Sequence, residues 1–156
     1  MKNYMSFITI FIVMMISSNV YSGILGQNTN LKGLDSFYLI VDVPELNKLK
    51  PIENDVKLKL IQSGIEVNKK ALNMLYINIS VFQIPRLEKI MLYTIDVSIR
   101  RRVRKMDSDD VIFAEIWEYG STGSVPIAFV EAIRKPVKEV LDKFIGDYLK
   151  VNPKQK

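Results

Sequence analysis

The 156-residue sequence has no cysteine and no histidine, carries 22 basic and 17 acidic side chains, and has a net charge of +5. Without cysteine, disulfides and a lipid anchor on a new amino-terminal cysteine are excluded; with histidine absent as well, neither a zinc-type site nor a histidine general base can be built. The basic excess is too mild to argue for nucleic acid, although it is compatible with an anionic envelope component.

Residues 1–22 are expected to form a secretory signal peptide. Lys2 supplies the positive amino-terminal region, Phe7 to Ile16 is apolar except for Thr9, and Ser17-Ser18-Asn19 is the polar stretch that precedes a cut. Val20-Tyr21-Ser22 followed by Gly23 offers acceptable groups to a narrow peptidase pocket, which places cleavage after Ser22. An uncleaved anchor helix over Met5 to Leu25 is the alternative, but the strongly apolar part is only about half a membrane-spanning length. The expected product, residues 23–156, is a single domain in the periplasm or outside the cell, held by its core alone and long enough to have one.

Gly23 to Leu31 reads as a lead-in. Phe37 to Val43 is dense in β-branched and aromatic residues between Gly33 and Pro44, which predicts a buried strand. Pro51 to Gly64 supports two readings: Val56, Leu58 and Leu60 alternate with lysines as in a strand, whereas Ile52, Val56, Leu60 and Ile61, ended by Gly64, suit a helix. The helix is preferred because the link from the first strand to the rest of the sheet needs an element to cover one sheet face. Met74 to Ile84 sets Leu75, Ile77, Ile79 and Val81 against Tyr76, Asn78, Ser80 and Phe82, the clearest strand in the chain. Met91 to Lys105 alternates too, and Val111 to Tyr119 follows the turn-forming Asp107-Ser108-Asp109, so the pair should form a hairpin.

Gly120 to Ser124 lacks the lysine and the spacing of a phosphate-binding loop and reads as a flexible connector. Beyond it, Val130, Ile133, Val137, Val140, Leu141, Phe144 and Tyr148 recur at three and four, the pattern of an amphipathic helix. Lys138/Asp142 and Glu139/Lys143 should pair along its exposed side, Pro136 should kink or split it, and Asn152-Pro153 should end it. The predicted architecture is an α+β two-layer sandwich: about four mostly antiparallel strands with two helices on one face, the other face left to solvent or a partner.

Several short motifs carry a resemblance. Gly33-Leu34, Gly64-Ile65-Glu66-Val67, Leu75-Tyr76-Ile77-Asn78, Trp117 and the ending Phe144-Ile145-Gly146-Asp147-Tyr148-Leu149-Lys150-Val151-Asn152-Pro153 resemble a group of uncharacterised exported bacterial proteins over residues 31–154. That group has no established activity, so the resemblance implies compartment and fold without chemistry. In element order only, the chain is also similar to the envelope-assembly domains of LptE-type lipoproteins and the amino-terminal domain of TolB. It departs from LptE in lacking the lipobox cysteine.

The most unusual local feature is Arg100-Arg101-Arg102-Val103-Arg104-Lys105. Alternation puts Arg100, Arg102 and Arg104 on the face away from the helices. If the turn is Met106 to Asp109, counting places Lys105 opposite Asp110, Arg100 opposite Glu115, Arg102 opposite Phe113 and Ser98 opposite Trp117. Arg100, Arg102, Arg104, Glu115, Trp117 and Tyr119 are therefore the candidate binding residues, with Tyr76 and Phe82 completing an aromatic patch. The competing reading is a solvated hairpin end, balanced by Asp107, Asp109 and Asp110.

The expected function is that of a non-catalytic exported envelope protein, without a cofactor, that binds a protein partner or an anionic envelope component. Two alternatives come from other classes. One is a small hydrolase using carboxylates, although Asp35, Asp42, Glu45, Glu53 and Asp55 show no catalytic spacing; the other is a structural homo-oligomer built through the open sheet face.

Overall fold

The period-two segments of the chain pair into one sheet. The computed structural model describes residues 20–23, 27–83, 85 and 88–153. Among these residues the sheet has six strands: β1 (Val20–Gly23), β2 (Ser36–Asp42), β3 (Glu66–Val67), β4 (Asn73–Gln83), β5 (Ile90–Arg104) and β6 (Val111–Pro126). Their spatial order is β1-β6-β5-β4-β2-β3. The fold is thus α+β as expected, but the sheet is larger than four strands and it is mixed. β4, β5 and β6 are antiparallel neighbours, whereas β2 runs parallel to both β3 and β4. The parallel pairing follows from the helix in between, because a helical crossover returns the chain to the edge from which it started.

That helix, α1 (Pro51–Gln62), settles the ambiguous segment. Pro51 stands at its first turn, where the missing backbone donor costs nothing, and Gly64 beyond its end takes φ +76°, a conformation that disfavours side chains. Ile52, Val56 and Leu60 are buried, but Ile61, counted on the same stripe, is exposed together with Leu58.

The second helix, α2 (Arg134–Val151), buries Val137, Val140, Leu141, Phe144, Ile145 and Tyr148. A 3-10 helix over Ile127–Ile133 precedes it, with Phe129 outside helical geometry. The break therefore falls ahead of Pro136 rather than at it, and Pro136 sits in the first turn of α2, where a proline is tolerated. The expected surface pairs are also rearranged: Asp142 accepts Lys59 from α1 at 2.6 Å, and Lys143 pairs with Asp147 at 2.6 Å. Arg134 and Asp55 make a further bridge between the two helices.

Buried residues of both helices and of the sheet form a single cluster. At its centre Phe144 is fully buried, with ring centroids 5.6 Å from Phe37, 5.3 Å from Trp117 and 6.1 Å from Tyr148. The end of α2 is tied down by polar groups. Asn152 caps the helix, donates to the Leu31 carbonyl and accepts the Gly33 N–H at 2.7 Å, while the Tyr148 hydroxyl donates to the Leu34 carbonyl at 2.7 Å. The motif residues at the two ends of the chain therefore meet.

Most of the expected leader, residues 1–19, lies outside the described residues. The expected cut after Ser22 falls inside β1, which runs antiparallel along β6 with Val20 opposite Thr122 and Gly23 opposite Tyr119. Among the described residues no helix is long and apolar enough to cross a membrane.

The central position of Phe144 has a measurable consequence. Phe144→Ala should lower the free energy of unfolding by about 3–5 kcal/mol in denaturant titration, since it removes the ring that three other aromatics pack against.

Candidate binding site on the long hairpin

β5 and β6 build a hairpin longer than the sheet that supports it. The last pairing of β4 with β5 is Asn73 with Arg101, and β1 covers only Tyr119 to Thr122 of β6. From Arg102 to Phe113 the chain is consequently a two-stranded ribbon. The counted register holds here: Arg100 lies opposite Glu115, Arg102 opposite Phe113, and the Lys105 N–H donates to the Asp110 carbonyl at 3.0 Å. The turn is closed by Ser108, whose hydroxyl meets the Asp110 carboxylate and accepts the Asp110 N–H.

Below the ribbon the count fails by one residue. Ile99 pairs with Trp117 while Arg100 pairs with Glu115, so Ile116 is an extra residue and the register shifts. A bulge of this kind reverses which side chains face each way from that point on. Ser98 therefore faces Glu118, and Trp117 turns under α2 instead of joining the arginines. Trp117 is only 2% exposed, and its indole N–H donates to Asp147 at 3.1 Å. Tyr119 follows it to the same side, half-buried, with its ring 6.4 Å from Trp117 and the Lys143 ammonium 5.8 Å above it. Trp117 therefore leaves the candidate surface, whereas Tyr119 turns its ring toward Trp117 but still borders the hollow on that surface. Gly120 to Ser124, expected as a connector, continues β6 because it pairs with β5 throughout and, as far as Thr122, with β1 on the other side.

The open face keeps the arginines and gains carboxylates. Arg100 lies over the Tyr76 ring at 4.6 Å and meets Glu115 at 3.5 Å, and the Tyr76 hydroxyl donates to Asp42. Tyr76, Arg100 and Glu115, together with Asn78, Asp96 and Glu118, border a shallow hollow of about 310 Å³. Asp96 follows from simple alternation, but Glu118 reaches the hollow only through the bulge. Among the described residues no group of three His, Cys, Asp or Glu side chains is placed to hold a metal ion.

Burial pushes the Asp96 carboxyl above its ordinary value; the Asn78 hydrogen bond opposes this and the Glu115 charge adds to it. Glu118 is raised too, first by the hydrogen bond that it shares with Glu115, then by partial burial and by the charges of Glu115 and Asp96.

Farther out, Arg104 pairs with Asp109 at 3.4 Å and Lys105 with Asp110 at 3.7 Å. Neither Arg101 nor Arg102 has a carboxylate at ion-pair distance among the described residues. Beside them Val111, Ile112, Phe113 and Met106 are exposed, Phe113 at 55%. Phe82, at the other end of the open face, is exposed as well.

No family model matches the chain, and no match is found among curated proteins. Among solved structures, the chain is similar to a minor lipoprotein from Acinetobacter baumannii at a TM-score of 0.31 and 11% identity, over 76% of this chain and 94% of that one.

Two outcomes test this geometry. Trp117→Ala should cost about 3–5 kcal/mol of stability, read as an early unfolding transition, because it opens the core rather than the surface. The raised carboxylates give a pH dependence: a folded-state pKa above the unfolded one means that stability falls as pH rises through the ordinary carboxylate range. Glu118→Gln should therefore be more stable than the parent by a few tenths of a kcal/mol at about pH 7, and the gain should vanish below about pH 4.

Proposed function

We propose that the protein is a non-catalytic exported envelope protein that binds a protein partner or an anionic envelope component through the arginine-bearing face of its long hairpin. The observation that carries this reading is Arg102, exposed, lacking a carboxylate partner among the described residues, and opposite the exposed Phe113 on a ribbon that no third strand supports. A two-stranded ribbon is marginal by itself, and a run of exposed apolar residues on it favours a role in contact. Arginine and aromatic side chains are the types that most often dominate interface energy. The export signal read from residues 1–22 supports the envelope as the place of action.

Immobilised protein exposed to envelope extract tests the proposal. Arg102→Ala should weaken capture by about 2 kcal/mol or more while circular dichroism stays that of the parent, since Arg102 lies outside the core. Unchanged capture by a folded variant would remove this face from consideration.

A further inference from the structure

We infer that the outer edge of β6 over Val111 to Glu115 pairs antiparallel with the same segment of a second copy of this chain, with Phe113 on the two-fold axis. The inference concerns backbone groups and does not depend on the partner proposed for the arginine face.

Hydrogen bonding in the ribbon fixes which groups point outward. Lys105 and Asp110 are a hydrogen-bonded pair, so, by the alternation of an antiparallel ladder, Val103 with Ile112 and Arg101 with Ala114 are too. Arg104 with Val111, Arg102 with Phe113 and Arg100 with Glu115 are the other kind, in which N–H and C=O turn away from the partner strand. The backbone groups of Val111, Phe113 and Glu115 thus project from the outer edge of β6, spaced to receive another strand. The same edge already does so nearby, where β1 lies antiparallel against Tyr119 to Thr122, and it is closed at Ile116 by the Asn30 amide, which donates to the Ile116 carbonyl. A cut after Ser22 would vacate the part of the edge that β1 covers, whereas Val111 to Glu115 is open with or without β1.

Charge selects the occupant. Pairing the β5 edge of the ribbon with itself would set Arg102 against Arg104 and Arg101 against Lys105, and like charges facing each other repel. Natural sheets protect their edges in this way. The β6 edge has no such protection. Centred on Phe113, self-pairing sets Val111 against Glu115, Ile112 against Ala114 and Phe113 against its own copy, with no like-charged pair and with apolar groups on both faces. A contact that maps a segment onto itself closes at two copies.

The natural chain has no cysteine, so a single introduced thiol reports its own neighbour. In a hydrogen-bonded antiparallel pair the Cα atoms are about 5.5 Å apart, within the range a disulfide spans. Expressed from the full sequence, Phe113→Cys should cross-link to a covalent dimer under mild oxidation, and Ile112→Cys, whose neighbour across the axis is Ala114, should cross-link far less. In sedimentation equilibrium the parent should be a dimer, Phe113→Lys should weaken self-association by at least about tenfold with unchanged circular dichroism, and Arg102→Ala should leave it unaltered. A monomeric parent, equal cross-linking at positions 112 and 113, a dimer that survives Phe113→Lys, or assembly beyond two copies would each overturn the inference.

Discussion

The contact of Phe144 with Phe37 and Trp117 is the point on which the fold turns. Phe37 comes from β2, Trp117 from β6 and Phe144 from α2, so one aromatic cluster joins the parallel part of the sheet, its antiparallel part and the helix that covers both. A chain without disulfides has only such burial to offset the loss of conformational entropy on folding. Edge-to-face packing among large rings adds to the area term, and the Trp117–Asp147 hydrogen bond keeps the one polar group on the indole satisfied while it is buried.

Burying Trp117 requires the bulge. With unbroken alternation Trp117 would stand on the same face as Arg100, and Glu118 would point into the core. One inserted residue at Ile116 exchanges them, which satisfies the hydrophobic side at the cost of a crowded polar one. The price is visible in Asp96, Glu115 and Glu118, gathered around a hollow where, among the described residues that line it, Arg100 alone offers a compensating charge. Core packing and open-face electrostatics are two outcomes of the same register shift, which is why Asp96 and Glu118 resist ionisation on a surface that is otherwise accessible to water.

Where the signal in the sequence is local, it is legible. The alternation of β4 and β5, the buried stripe through Phe144, the stop at Gly64 and the hairpin turn all depend on residues near one another in the chain, and the ribbon register follows from counting outward from that turn. What was not legible is tertiary. Nothing around Ile116 announces an extra residue, because Glu115-Ile116-Trp117-Glu118 alternates acceptably either way. Gly120 to Ser124 has loop composition and becomes strand only through its neighbours, β5 along its whole length and β1 as far as Thr122. The parallel pairing of β2 with β4 is likewise a consequence of how α1 docks rather than of residues in either strand. For the candidate site, Arg100, Arg102, Arg104 and Glu115 could be placed on one face from the sequence, while Trp117 and Tyr119 could not, since they lie beyond the bulge.

The ribbon beyond Arg101 bears none of the weight of the core, yet its two edges differ in a way that stability does not require. Arginines occupy the β5 side, two of them without carboxylate partners among the described residues, whereas the β6 side exposes Val111, Ile112 and Phe113 in succession. If solubility alone governed this arm, lysine or proline on the apolar edge would serve it better. A charged edge beside an open apolar one places two kinds of surface on one element: arginines on one side, and on the other outward backbone groups flanked by exposed apolar side chains. The acidic turn fits the same division, because Asp109 and Asp110 engage Arg104 and Lys105 near the tip and leave the uncompensated cations, Arg101 and Arg102, at the base, next to the sheet face on which Arg100 stacks over Tyr76.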